Sequence, residues 1–144
     1  MPIANYSTEV TVASSMGEVT GALAKRGVSR ISTVFDDDGN PSGIAFTMKT
    51  PYGVQEFELP VRVEGVQKAL IKDGVIPKYR TREHAAKVAW RIAKDWLRAQ
   101  SALIDADLAT LDEVMMPYMI GNKSGQTVYQ MIVESGLKQL ESAK

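Results

Sequence analysis

The segment from Thr81 to Leu103 constrains the fold most strongly, because its hydrophobic residues recur with the period of an α-helix. At about 100° per residue these side chains form one apolar stripe, which predicts a helix face packed against the rest of the fold. The stripe consists of Ala85, Ala89, Ile92, Trp96, Ala99 and Leu103. Trp96 lies in the middle of the stripe, and we therefore predict that it is a core residue.

A second stripe of the same helix is cationic. It consists of Lys87, Arg91, Lys94 and Arg98, with Trp90 on its flank and with Arg80 and Arg82 just before the helix. Cations at this spacing can each neutralise roughly one phosphate of a nucleic-acid backbone. An exposed indole beside them can stack on an unpaired base. These residues are therefore the predicted nucleic-acid-binding site.

Other interpretations of the cationic stripe remain open. A solvated helix face would carry the same charges simply for solubility, and the stripe could instead lie against an acidic protein surface. For Trp90 by itself the core is the favoured location, half-buried against the sheet with its ring nitrogen bonded to a partner. The sequence alone does not separate these interpretations from nucleic-acid binding.

Composition excludes several classes of protein. The chain has 144 residues, with 17 basic and 17 acidic side chains and no cysteine, so disulfides, thiolate metal sites and cysteine nucleophiles are ruled out. No apolar run approaches the roughly 20 residues of a membrane span. The first ten residues lack the basic start and apolar stretch of a secretory signal. We therefore expect a cytoplasmic protein that does not contact a membrane.

The arrangement of patterns predicts an α+β fold, in which helices cover one face of a small antiparallel β-meander. Alternating residues predict strands at 6–13, 30–35, 44–49 and 54–59. Ser15 and Glu18 form a capping-box pattern for a first helix that ends near Gly27, and a second helix is expected from Val63 to Asp73. Thr110 and Glu113 indicate a further helix, and 128–133 another. We expect one domain over 1–144, in which the helical portion 77–144 packs on the portion 1–76.

Candidate catalytic and metal-binding residues have simpler structural explanations. His84 is the only histidine, and no nucleophile or acid partner for it can be assigned from the sequence. Asp36, Asp37 and Asp38 precede Gly39 in a composition typical of a turn, without the spacing of a calcium loop. The acidic residues from Asp105 to Glu113 favour a helix N-terminus electrostatically. We therefore predict no catalytic residues, metal or cofactor, and a metal-dependent nuclease is the least favoured hypothesis.

Methionine and tyrosine are concentrated in the C-terminal part of the chain. The residues are Met115, Met116, Tyr118, Met119, Tyr129 and Met131. Methionine side chains adapt to varied apolar surroundings, both in cores and at interfaces. This segment therefore predicts either core packing or a surface for homo-oligomer formation.

The long helix and the segment beyond it carry four short motifs, Val88-Ala89-Trp90-Arg91-Ile92, Lys94-Asp95-Trp96, Gln100 and Met116-Pro117-Tyr118-Met119. In these motifs the chain resembles a group of small phage and prophage proteins with no established activity. The similar layout covers residues 15 to 130. The resemblance implies an origin in a mobile element, whose genes often serve recombination, replication or counter-defence, and it transfers no functional residue.

Two functions follow as hypotheses. The first is a non-enzymatic, phage-type protein that binds DNA or RNA through the cationic stripe. The alternative is an inhibitor or adaptor that docks on a host or phage protein through its sheet edge or its methionine-rich helices.

Overall fold

The sheet is a three-stranded antiparallel meander in the order β1-β2-β3, formed by β1 (Ser29–Phe35), β2 (Pro41–Thr50) and β3 (Gly53–Pro60). The structure is a computed structural model and describes residues 1–136. Within these described residues, five α-helices accompany the sheet, which confirms the α+β class. The three strands lie where the period-two alternation predicts them.

One face of the meander is buried and the other is not. Ile44 pairs with Leu59 and Phe46 pairs with Phe57, so these side chains share one face. The two phenylalanine rings stack with centroids 5.3 Å apart and planes 10° from parallel. All four side chains are buried, whereas Val54 on the opposite face is 67% exposed. The buried face is the surface on which the helices pack.

The helices are α1 (Val12–Ala24), α2 (Val63–Lys72), α3 (Arg82–Asp105), α4 (Leu111–Met115) and α5 (Val128–Ser135), with 3₁₀ turns at Pro77–Tyr79 and Met116–Tyr118. Threonine hydroxyls cap α1, α3, α4 and α5, each accepting a backbone N–H three residues along the chain. The capping box of Thr110 and Glu113 is confirmed. Within residues 1–136, no helix has the length and apolar character that crossing a membrane requires.

The predicted strand at 6–13 is wrong. Helix α1 begins at Val12 with Thr11 as its N-cap, four residues before the predicted capping box, so Ser15 lies inside the helix and is fully buried. The residues before α1 find polar partners outside the sheet. The backbone N–H of Ile3 donates to Asp73 at 2.9 Å. These backbone groups are therefore satisfied without a strand partner, which removes the need for pairing.

The prediction that the apolar stripe is the buried face of the long helix α3 is only partly correct. Buried residues of α3 are His84, Ala85, Val88, Ala89, Trp90 and Leu97. Ala99 and Leu103 are exposed, because α2 has only 10 residues beside the 24 of α3 and leaves the later part of that face uncovered. Trp90 is fully buried and Trp96 is only partly buried, whereas the sequence pattern predicts Trp96 as the more firmly buried of the two.

The segment after α4 extends the sheet locally. Met119 forms a bridge with Phe57, and the Ile120 N–H donates to the Glu56 carbonyl at 2.8 Å. This contact covers part of the free edge of β3. At the other edge, the β1–β2 register shifts between Ser29 and Ser32, and such an irregularity hinders pairing with another strand. The tail expected to fray, 137–144, lies outside the described residues.

Candidate functional site

The centre of the cationic stripe is occupied by contacts within the chain. Glu18 of α1 lies 3.9 Å from Arg91 Nη1 and 3.8 Å from Lys94 Nζ. Asp95 lies 3.9 Å from Arg91 Nε and 3.5 Å from Lys94 Nζ. The Lys94 side chain is only 10% exposed. Helix α1 therefore covers this part of the stripe. The charges of Arg91 and Lys94 neutralise carboxylates of the same molecule.

Trp90 lies in the core, which corrects its assignment to the nucleic-acid-binding site. Its relative exposure is 0%, and its Nε1–H donates to the Pro41 carbonyl at 3.3 Å. A base can stack only on an exposed ring face. Trp90 instead joins α3 to the start of β2, and it offers no stacking surface in this conformation.

The cations at the N-terminal end of the stripe contact different parts of the chain. Arg82 bonds Asp36 at 3.1 Å and lies 3.6 Å from Glu64. The Arg80 Nε–H donates to the Val75 carbonyl. Lys87 is half-buried, and within residues 1–136 it makes no ion pair. The predicted residues therefore do not form one continuous exposed ridge.

A cleft of about 510 Å³ between α1 and α3 contains the other end of the stripe. We call it the cationic cleft, and its charged lining is Lys25, Arg26, Lys94 and Arg98 with Glu18 and Asp105. Val19, Ala22 and Leu97 contribute apolar surface to it. Cations of α3 and of the residues that directly follow α1 thus outnumber the carboxylates around one opening.

The cations of this cleft differ in how firmly they are held. Arg26 Nη2 bonds Asp105 Oδ1 at 2.8 Å and the Ser101 carbonyl at 3.2 Å. Lys25 and Arg98 are exposed, and no carboxylate of residues 1–136 pairs with either. These two side chains are therefore the cations available to an external anion.

Sequence reasoning missed Lys25 and Arg26. They form a two-residue basic run at the C-terminal end of α1, where cations also complement the helix dipole. Periodicity places residues on the face of one helix and says nothing about which second helix lies beside it. Only the packing of α1 along α3 brings these cations to Arg98.

An N-terminal segment is fastened to α3 beside the paired cations. The Asn5 amide donates to Asp95 Oδ2 at 2.8 Å, and this bond lowers the pKa of the Asp95 carboxyl from its ordinary value. Partial burial of the carboxyl opposes the shift, and the charges of Lys94 and Arg91 add to it. Asp95 therefore remains ionised and available to hold both cations.

His84 also holds the N-terminal segment. It is buried, its Nε2 lies 2.6 Å from the Tyr6 carbonyl, and its ring centroid lies 4.8 Å from that of Tyr79. A carbonyl can only accept, so Nε2 carries the proton of this bond. These contacts give His84 a structural role.

The predicted acidic turn is confirmed, and Asp36 is its centre. Asp36 Oδ1 accepts the N–H groups of Asn40 at 2.9 Å and Asp38 at 3.0 Å, while Oδ2 accepts from Arg82. The Asn40 bond contributes most to a lowered pKa of this carboxyl. Burial opposes the shift, and the bonds from Arg82 and Asp38 add to it.

The two acidic clusters are far apart. Asp36 is bound at the start of α3 by Arg82, and Asp105 ends that helix, which has 24 residues. At a rise of 1.5 Å per residue the ends of such a helix are about 35 Å apart. Within residues 1–136, no three metal-ligating side chains gather around a common point. The clusters therefore do not converge on one metal site.

Replacing Asp36 with asparagine is expected to destabilise the protein at neutral pH but not in strong acid. The amide oxygen can still accept the turn N–H groups, so the change removes mainly the charge paired with Arg82. Since the folded pKa lies below the ordinary 3.8, the charge stabilises the fold at higher pH, and that stabilisation is lost as pH falls through the folded pKa. Thermal melts at pH values from 7 to about 2 measure the difference in Tm.

Asp37→Asn is the matched control, since it removes a neighbouring charge from the same turn. Asp37 is exposed and makes no ion pair with residues 1–136. A Tm difference for Asp36→Asn that stays constant across the pH range would contradict the assignment, as would an equal effect of Asp37→Asn.

Comparison of the chain with protein-family models, curated proteins and solved structures found no match.

Proposed function

We propose that this chain is a non-enzymatic nucleic-acid-binding protein that contacts phosphates through the cationic cleft. The observation that carries the proposal is the convergence of Lys25, Arg26, Lys94 and Arg98 around one opening that holds two carboxylates. Arginine and lysine bind phosphate oxygens by charge and by hydrogen bonds. Lys25 and Arg98 would make the direct contacts, while Arg26 and Lys94 raise the local potential.

Binding of this kind is electrostatic and depends on salt. Each phosphate contact releases condensed counterions, so the logarithm of the affinity falls linearly with the logarithm of the salt concentration. Two to four contacts give a slope of roughly −2 to −4. The slope therefore counts contacts and separates phosphate binding from apolar docking.

Fluorescence polarisation with labelled single-stranded and double-stranded oligonucleotides at low and moderate salt tests the proposal. The double variant Lys25→Glu, Arg98→Glu reverses the two available cations and is expected to weaken binding by about tenfold or more. The slope of the logarithm of affinity against the logarithm of salt concentration should also be shallower for this variant than for the wild type. Both side chains are exposed, so the fold should survive, which circular dichroism checks.

Lys68→Glu combined with Lys72→Glu is the matched control, because it makes the same change in net charge on exposed positions of α2. It should keep near wild-type affinity. Absence of nucleic-acid binding by the wild type at low salt would contradict the proposal. Equal losses in the two double variants would show that net charge matters rather than the cleft.

We also propose the origin and location that accompany this function. The resemblance of the Val88-Ala89-Trp90-Arg91-Ile92 and Met116-Pro117-Tyr118-Met119 motifs to phage and prophage proteins supports a mobile-element origin and activity in the cytoplasm of a host cell. The chemistry of the cleft does not distinguish DNA from RNA, since both present phosphates.

A role as an inhibitor or adaptor is the second candidate, and another surface favours it. Met115 is fully buried and Met116, Met119 and Met131 are partly buried, so much of the methionine-rich segment packs inside the molecule. Self-association would instead use Tyr129 and Val133 of α5, which are each 60% exposed. A hollow of about 300 Å³ beside Trp96 and Tyr118 is a better fit for a separate protein partner.

A further inference from the structure

The cationic cleft has an excess of two positive charges. Its described lining holds four cations and two carboxylates, a formal charge of +2. The carboxylates are already paired with Arg26 and Lys94. Lys25 and Arg98 make no ion pair with residues 1–136. The excess is therefore the charge of these two side chains, and a ligand with two negative charges would balance it.

Nucleic acids contain two kinds of phosphate that differ in charge. A phosphodiester within a strand carries one negative charge. A terminal phosphate monoester carries about −1.5 to −2 at pH 7 and has three strong acceptor oxygens. The excess charge of the cleft therefore matches one terminal monoester better than one diester.

Lys94 has hydrogen-bonding capacity that its own carboxylates leave unused. Its side chain is only 10% exposed, and its Nζ lies 3.8 Å from Glu18 and 3.5 Å from Asp95. Charge-assisted N–H···O bonds are about 2.7–2.9 Å long, so both contacts are loose. An ammonium group carries three donors, and a nearly buried one gains from a close anionic acceptor. A phosphate that enters the cleft would supply that acceptor.

The cleft also has room for more than a phosphate group. Its volume of about 510 Å³ falls within the roughly 300–1,000 Å³ of sites that enclose small ligands. Gly21 of α1 lines it, and apart from the surrounding helix backbone a Cβ there would meet no atom within 4 Å. Glycine weakens a helix interior, and at this position it keeps one wall of the cleft open. The end of a strand can enter such a space, whereas an internal phosphate has nucleotides on both sides.

We propose that the cationic cleft receives the terminal nucleotide of a nucleic-acid single strand, with its phosphate monoester bound by Lys25, Lys94 and Arg98. This inference rests on the proposed function and adds to it the part of the nucleic acid that is bound. A blunt duplex end is a poorer ligand, because its terminal nucleotide must leave its base pair and its stack before it can enter.

Fluorescence polarisation compares three internally labelled oligothymidines of equal length, with hydroxyls at both ends, with a 5′-phosphate, or with a 3′-phosphate. We expect at least one phosphorylated strand to bind about tenfold or more tightly than the hydroxyl strand. A hydroxyl strand that is two nucleotides longer matches the added charge and should gain much less. The blunt duplex of the same strand should also gain less from its terminal phosphate.

Gly21→Leu fills the cleft without changing its charges. The variant should lose most of the gain from the terminal phosphate, while the hydroxyl strand keeps most of its affinity through the exposed Lys25 and Arg98. Leucine suits a helix interior better than glycine, so a thermal melt should show the variant at least as stable as the wild type.

Gly17→Leu is the matched control, because Gly17 lies one turn earlier in α1 and outside the lining of the cleft. This variant should keep the gain from the terminal phosphate. Equal affinity for the three strands, or a gain no larger than that of the longer strand, overturns the inference and leaves the proposed function standing. A full gain in Gly21→Leu overturns it as well. No binding of any strand at low salt contradicts the proposed function and the inference together.

Discussion

Trp90→Ala is expected to lower the free energy of unfolding by about 3–5 kcal/mol, the usual cost of removing a large buried aromatic side chain. The Trp90 ring is completely buried, and its indole N–H bonds the Pro41 carbonyl. The substitution leaves a cavity beside the sheet and removes the hydrogen bond from the indole to the Pro41 carbonyl. Urea denaturation followed by circular dichroism measures the loss, which corresponds to a fall in Tm of roughly 10 °C.

Trp96→Ala is the matched control for this prediction. It removes the same side chain from the same helix at a partly buried position, and a cost of about 1 kcal/mol is expected. A larger loss for Trp96 than for Trp90 would contradict the burial pattern of α3. Trp90→Phe should recover much of the stability, because it restores most of the lost volume.

Gly43→Ala is expected to destabilise the protein by about 1–3 kcal/mol, although alanine normally suits a folded chain better than glycine. Gly43 is buried in β2, and a Cβ there would lie 2.8 Å from the backbone oxygen of Leu59 in the neighbouring strand. Backbone atoms within a ladder cannot move aside as a flexible side chain can. Strands β2 and β3 would therefore separate locally, and chemical denaturation would report the cost.

Gly17→Ala gives the opposite sign in the same assay. Gly17 lies inside α1, and apart from the surrounding helix backbone a Cβ there would meet no atom within 4 Å. Alanine in a helix interior is favoured over glycine by about 1 kcal/mol, so the variant should be more stable than the wild type. Stabilisation by Gly43→Ala would disprove the close approach of β2 to β3.

The sheet was predictable because its signals are local. Ile44, Phe46 and Met48 alternate with more polar residues, and the turn residues Asp36 to Asn40 separate the first two strands. A period of two with one buried face specifies a strand and its register. The threonine cap of α4 was predictable for the same reason, since Thr110 and Glu113 interact across three residues.

The roles of the two tryptophans were not predictable from periodicity. A helical stripe assumes one buried face, but α3 packs against the sheet, α1 and α2 in different directions. Trp90 points away from the predicted stripe and still lies in the core. Trp96 lies on the stripe and remains half-buried. The exposed face of α3 depends on the lengths and positions of its neighbours, which no local pattern encodes.

The candidate site was predictable only in part for a related reason. Lys94 and Arg98 were identified from their spacing on one helix, and both line the cationic cleft. Glu18, the partner of Lys94, comes from a segment about seventy residues away, and so do Lys25 and Arg26. Long-range packing therefore decides which cations pair internally and which remain available.

Acrylamide quenching of tryptophan fluorescence tests most directly whether Trp90 belongs to the core and Trp96 is partly exposed at the surface. The wild type contains both tryptophans, and Trp96→Phe leaves Trp90 alone. We expect Trp96→Phe to show blue-shifted emission and to lose most of the quenchable fraction seen in the wild type. Unchanged or stronger quenching in Trp96→Phe, with the protein folded, would place Trp90 at the surface and contradict its burial in the core.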